Sequence, residues 1–236
     1  VHDDQLRKIL GKNYSSEALL ETIQKALYFG AETFRVYLML GLPKQTEESV
    51  RKTIKWGCSI MEKFGKKVTV LFSPLVFFLD PCSIAFRKPS EYGVKLKTKT
   101  LNDFLELIEN GETWKHFLNY ETENLSPEKI TELTYWTAEE RINSMIKTGL
   151  MDNSAGMEAL EEIKRIRKIN AAIDCIVKNN SPGLRRIVEI KALKDKIDGQ
   201  ERLKTIICGD IRWKSEKFHI LRIAKDGLGK MMKNIV

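Results

Sequence analysis

The chain is poor in glycine and proline, and its cysteines are few and scattered. It has 14 Gly and 6 Pro in 236 residues, which excludes collagen-like and Pro/Gly-rich low-complexity classes. No two of its four cysteines, Cys58, Cys82, Cys175 and Cys208, lie within twenty residues of each other. Zinc or redox spacings of the Cys-x-x-Cys kind are therefore absent. Cysteine density is also too low for a disulfide framework. No apolar run approaches the roughly 18 residues of a membrane-spanning helix. The opening residues Val1-His2-Asp3-Asp4 carry neither the basic nor the apolar region of a secretory signal. There is no phosphate-binding glycine loop and no nucleophile motif. An intracellular, cytoplasmic protein with no membrane contact is expected.

What is present is a globular composition. Hydrophobic residues make up 42% and charged residues 31%, enough for a sizeable core and too apolar for a disordered chain. The length lies between one average domain and two. The net charge is +8, from 40 basic and 32 acidic residues. Basic proteins often meet nucleic acid, but these charges are spread along helical segments and read first as a solvated surface.

The first seventy residues alternate between helix and strand signals. Residues 16–29 carry Leu20, Ile23 and Leu27 on one helical face, with a serine available as cap and Gly30 as stop. Residues 34–40, Phe-Arg-Val-Tyr-Leu-Met-Leu, form a β-prone run whose near-continuous apolar character suits a strand buried on both faces. Residues 47–63 give a second helix with Thr46 as cap and Glu47 and Glu48 at its positive end. A second strand follows at 68–72. This is the rhythm of βαβ units and a parallel sheet. Two strands cannot form an independent buried sheet, so either the chain holds further strands that these patterns do not mark, or it is the back part of a larger α/β domain. Residues 1–14 then read as a loop leaving an earlier strand.

Residues 73–98 show little periodicity and read as an apolar, proline-punctuated loop. Helices are expected at about 100–110, 127–147 and 155–178. Ser126-Pro127 is a start signal and Asn179-Asn180-Ser181-Pro182-Gly183 a break. Two further helices are expected within 184–236, around Ile206-Ile207-Cys208.

The most informative segment is the strand ending Leu40-Gly41-Leu42-Pro43, followed by Lys44-Gln45-Thr46-Glu47-Glu48. Gly41 lets the backbone turn at the carboxyl end of the strand and leaves room for a ligand. Ligands of α/β sheets bind at that edge. An ordinary strand-to-helix turn has the same composition, so both readings stand on the residues alone.

The strand with Gly-Leu-Pro-x-x-Thr-Glu resembles the fifth strand and following helix of radical S-adenosylmethionine enzymes. More specifically, the chain resembles the C-terminal half of a cobalamin-binding-domain radical SAM protein. The resemblance covers roughly residues 1–150. It runs through His2-Asp3-Asp4, Leu6-Arg7-Lys8, Gly11-Lys12-Asn13-Tyr14-Ser15, the Gly41 turn and Phe72-Ser73-Pro74-Leu75. It continues through Phe78-Leu79-Asp80-Pro81-Cys82-Ser83 and Leu118-Asn119-Tyr120-Glu121-Thr122. The order and spacing of these segments carry the resemblance. Residues 151–236 match nothing in the family.

The departure is as informative. The family's cluster-binding Cys-x-x-x-Cys-x-x-Cys motif is absent, as is any cobalamin-binding segment. A 4Fe–4S cluster needs several thiolates from short spacings. The resemblance thus implies a fragment, inactive alone, whose parent uses S-adenosylmethionine, a 4Fe–4S cluster and cobalamin for methyl transfer or a radical rearrangement. The partner would be a missing N-terminal half or a separate subunit carrying the cluster and cobalamin. The implied architecture is α/β: the last strands of a partial barrel at 1–98, a helical extension at 99–150 and a helical region of unknown role at 151–236.

By the resemblance, Gly41 and Leu42 would lie near the adenosyl group. Ser73, Pro74 and Leu75 would meet the adenine, and His2, Asp3 and Asp4 would contact the ribose or amino acid part. No catalytic residue is assigned, and no metal ligand. A rival reading is a non-catalytic adaptor whose Arg185, Arg186, Lys191, Lys194 and Lys196 contact RNA or a protein partner. Trp114, His116 and Tyr120 read as packing or as an aromatic surface. Trp213 between Arg212 and Lys214 reads as a half-buried indole or a base-stacking site. Cys82, after a proline near the proposed site, reads as an inert free thiol or a reactive one.

Overall fold

In a computed structural model the described residues are 1–74, 79–178 and 188–193. The described chain is α/β, dominated by helix, with two small sheets. It begins with helix α1 (Asp4–Ile9), capped by Asp3, whose carboxylate accepts from the Leu6 N–H. The expectation of a loop over 1–14 is thus corrected. Asp3 supplies the N-cap, and the sequence Leu6-Arg7-Lys8 tolerates one and a half turns. Helix α2 (Ser16–Tyr28) is capped by Ser15 and strand β1 spans Phe34–Leu40. Helix α3 (Glu47–Phe64) is capped by Thr46, and strand β2 spans Val68–Pro74.

Strands β1 and β2 pair in parallel, from Phe34 opposite Val68 to Leu40 opposite Pro74. Helices α2 and α3 and the later α7 (Pro127–Lys147) all lie on one face of this pair. That face buries Val36, Leu38, Val68 and Val70 against Ile23, Ile60 and Met61. Nearer the carboxyl end, Leu40 joins Val50, Ile54, Tyr120, Ile130 and Leu133. Gly57 of α3 brings the helix close. A Cβ there would stand 2.5 Å from the Phe72 ring and 2.7 Å from Leu38.

The opposite face differs. Arg35 and Tyr37 are exposed, Tyr37 at 57%, while Met39, Thr69 and Leu71 are half-buried. The expectation that β1 is buried on both faces is corrected. Its apolar Met39 and aromatic Tyr37 made the run look continuous, yet burial alternates with the period of two that a one-sided strand requires.

The segment expected to lack elements holds three: short helices α4 (Ile84–Arg87) and α5 (Pro89–Tyr92), then strand β3 (Val94–Leu96). β3 pairs antiparallel with β4 (Tyr120–Thr122). At three residues each, these strands are too short to show alternation. The pair crosses the expected boundary at residue 98, as does the seat of α7 against α3. Between them come α6 (Leu101–Asn110), with a Thr100–Asp103 capping box, and a 3-10 turn (Trp114–Phe117).

Asn119 adds a clamp. Its amide accepts from the Leu79 N–H at 2.6 Å and donates to the Leu79 carbonyl at 3.2 Å, across 40 residues of chain. Helix α8 (Asn153–Lys178) packs on α7 through Tyr135, Ile142, Ala159, Ile163 and Ile166. Residues 188–193 are helical, and Ile190 packs on Ile169 and Ile173 of α8. The expected helices around Ile206-Ile207-Cys208 lie outside the described residues. Among the described residues no helix is long and apolar enough to cross a membrane.

Candidate functional site

The carboxyl edge of β1 turns through Gly41, at φ +74°, and Lys44, at φ +60°. Both lie in the left-handed region, where glycine is at ease and lysine is strained. The turn closes on itself. The Leu42 N–H donates to Gln45 Oε1 at 3.0 Å, and Gln45 and Leu42 are both buried. The Tyr120 hydroxyl donates to the Gly41 carbonyl at 3.2 Å, and Asn124 donates to the Lys44 carbonyl at 3.3 Å. Burial pushes the Tyr120 hydroxyl pKa upward, so it stays a neutral donor. A Cβ at Gly41 would meet Ile130 at 3.1 Å. From the α7 side, then, Gly41 and Leu42 are covered by protein and the Leu42 N–H and Gly41 carbonyl already have partners.

His2 and Asp3 sit elsewhere, against α2 and α3. The His2 N–H donates to Thr53 Oγ1 at 3.1 Å, and its ring stacks on Trp56 with centroids 5.0 Å apart. Its Nδ1 lies 3.0 Å from Ser16 Oγ. Burial, then the nearby Arg7 cation, lowers the His2 pKa, so the ring is neutral at pH 7. Arg7 ties this corner together. Its buried guanidinium pairs with Asp4 and donates to Ser16 Oγ at 3.1 Å and to the Tyr14 carbonyl at 2.9 Å.

These residues border a cleft of about 300 Å³ lined by His2, Asp3, Asp4, Glu17, Ser49 and Lys52, with Ser16 behind. Ser49 Oγ is buried there with no hydrogen-bond partner. Lys52 is paired with Glu48 at 2.7 Å. Neutral imidazole, carboxylates, hydroxyls and an ammonium together suit a small polar ligand carrying both donors and acceptors.

A second cleft, of about 590 Å³, lies between α6, the turn at Lys115–His116, the start of α7 and Val177 of α8. Lys115 pairs with Asp174 on its border, and His116 Nε2 lies 3.6 Å from the same carboxylate. Burial and then Lys115 lower the His116 pKa.

The residues singled out in the sequence therefore fall into two places. Gly41 and Leu42 belong to a filled turn, and His2 and Asp3 to an open cleft. Ser73 and Pro74 close β2 beside Met39 and Leu40, and Leu75 lies outside the described residues. Trp114 and Tyr120 pack into the core, Tyr120 fully buried. Cys82 is exposed and free. Of the five basic residues proposed for an adaptor, Lys191 alone is described, and it is exposed; Trp213 is outside. Sequence reasoning assigned no role to Gln45, Ser49 or Asn119. Gln45 and Asn119 each stood inside a motif, where a polar side chain in an apolar setting signals a buried hydrogen bond.

The described residues do not fit an iron–sulfur cluster. No group of three or more His, Cys, Asp or Glu among them is placed to hold a metal ion. Cys58, Cys82 and Cys175 lie on separate segments, and burial pushes the Cys58 thiol pKa up, away from a ligating thiolate. No protein-family model matches the chain, and no curated protein or solved structure matches it.

Proposed function

We propose that this chain is the C-terminal part of a radical S-adenosylmethionine enzyme that depends on cobalamin, and that it is inactive alone. The observation that carries the reading is the one-sided parallel pair. In a barrel wall, helices cover the outer face of each strand, the inner face turns into the barrel, and the site lies at the mouth formed by the strands' carboxyl ends. Here α2, α3 and α7 cover Val36, Leu38 and Leu40, while Arg35 and Tyr37 lie open on the other side. A partial barrel completed by further strands would place those side chains inside.

In this reading the cluster thiolates and the cobalamin site come from a preceding half or a separate subunit. The residues here contribute wall and edge. Tyr120, Ile130 and Gln45 fix the Gly41–Leu42 turn from outside, so S-adenosylmethionine would approach it only from the open face, past Met39. His2 and Asp3 line their own cleft and would act on a ligand reaching the start of α3. When bound, the cofactors would supply the radical chemistry, and the chain would hold and shield the reacting groups.

The test is the coding sequence around this chain and the protein it specifies. A cysteine triplet in phase upstream, or in a co-purifying subunit, is expected. Reduction of the complete protein with S-adenosylmethionine should release 5′-deoxyadenosine, and this chain alone should release none. The reading fails if neither source holds such a triplet, or if the complete protein leaves S-adenosylmethionine intact under reduction.

A further inference from the structure

Helix α6 is built as an amphipathic helix, yet it buries none of its residues. Leu101, Leu105 and Ile108 follow the spacing i, i+4, i+7 of an interhelical seam and form one stripe. They are 71%, 47% and 41% exposed. No other described helix leaves more than one large apolar side chain exposed. A single exposed leucine needs no explanation, but three in register on one helix face mark a contact surface.

The stripe has an acidic border. Asp103, Glu106, Glu109 and Glu112 stand between Thr100 and Thr113 with no Lys or Arg among them, in a chain of net charge +8. Asp103 is engaged at the start of the helix, where it accepts from the Lys99 and Thr100 N–H groups. Glu106 and Glu109 are exposed and make no ion pair among the described residues. Lys97 and Lys115, which line the same cleft as Glu106, pair instead with Glu121 and Asp174. At 100° per residue, Glu109 falls beside the stripe and Glu106 behind it on the same flank.

These two features select the occupant. Apolar side chains at helical spacing on a partner helix fill the stripe, and Lys or Arg on its flank meet the carboxylates. An anionic membrane and a nucleic acid would both be repelled. A second α6 would bring carboxylates of the same sign together. The Thr100–Asp103 capping box keeps α6 helical before docking, so only the partner loses conformational freedom on binding. Ten residues make a helix about 15 Å long, so the contact is small and the complex transient.

We propose that α6 is a docking surface for a basic amphipathic helix of a partner polypeptide. The partner's apolar residues lie on the Leu101–Leu105–Ile108 stripe, and its Lys or Arg residues lie over Glu106 and Glu109. This surface is independent of the radical SAM reading.

The test titrates the full chain with two probe peptides of about three heptads. Both carry Leu at the seam positions; one has Lys on its flanks and the other Glu. The Lys peptide is expected to bind, to slow amide exchange in α6 and to bind more weakly as salt rises. The Glu peptide should not bind at the same concentrations. Leu105→Gln combined with Ile108→Gln should weaken the Lys peptide about tenfold through lost apolar contact, with circular dichroism unchanged because both side chains are exposed. Glu106→Lys combined with Glu109→Lys should reverse the preference, so that the Glu peptide binds instead, a result that unfolding does not produce. Equal binding of the two peptides, no binding of the Lys peptide, or binding indifferent to the Gln pair would overturn the proposal. So would a wild-type chain that sediments as a dimer and turns monomeric with the Gln pair, because a second copy would then hold the face. Capture by phosphatidylserine vesicles that the Gln pair abolishes would overturn it in favour of a membrane.

Discussion

The two faces of the β1–β2 pair share one backbone and have opposite surroundings. Val36, Leu38 and Leu40 are buried under three helices, while Arg35 and Tyr37, one residue away, are exposed. The covered face is a close-packed core in which helix α3 approaches at a glycine. The open face has no such neighbours among the described residues. Stability therefore resides on the helix-covered face of this pair, and the side chains of the open face contribute little to it.

That contrast can be broken by substitution. Leu38→Ala should cost the most, about 3 kcal/mol, because it removes a buried side chain and leaves a cavity under α3; urea unfolding measures it. Gly57→Ala should cost about 1–2 kcal/mol in the same assay. The added methyl would stand 2.5 Å from the Phe72 ring and 2.7 Å from Leu38, closer than van der Waals contact allows, and overpacking outweighs the helix-propensity gain. Tyr120→Phe should cost about 1 kcal/mol by leaving the Gly41 carbonyl without its donor.

A smaller effect is expected from pH. His2 and His116 both have lowered pKa values in the fold. The unfolded chain then binds more protons near pH 6.5, so stability is fully present above that pH and declines on acidification toward the folded values. His2→Gln should flatten the decline, read as the urea midpoint between pH 7.5 and 5. At the end of the series stands Tyr37→Ser on the open face, expected to change stability by no more than about 0.5 kcal/mol. A loss as large as that of Leu38→Ala would mean that the open face is covered too.

Much of this fold was legible in the sequence. Cap candidates at Ser15 or Ser16, Thr46 and Ser126 and the apolar spacing of α2, α3 and α7 placed those helices within a few residues. The parallel pair followed from two apolar runs separated by a helix. Helix α1 was missed because its single buried apolar side chain, Leu6, gives no periodicity. Strands β3 and β4 were missed because three-residue strands draw their pairing from tertiary context. The site was less legible. Gly41 and Leu42 were singled out correctly as a turn, but the covering by Tyr120 and Ile130 comes from residues about eighty positions away. The cleft at His2 depends on Arg7, a charged residue whose burial no local pattern announces.

The amide of Asn119 holding both polar groups of Leu79 bears on the order of folding. The two strands of the β1–α3–β2 unit are bridged by α3, whose local contacts shorten the effective path between them, so the unit can form early. The Asn119 clamp must wait until β4 is in place and the 40-residue excursion between its partners has been gathered in. It should thus have a φ-value near zero, so Asn119→Ala would speed unfolding and leave the folding rate almost untouched. A side chain that reads as a static tie is, in time, a latch that drops last.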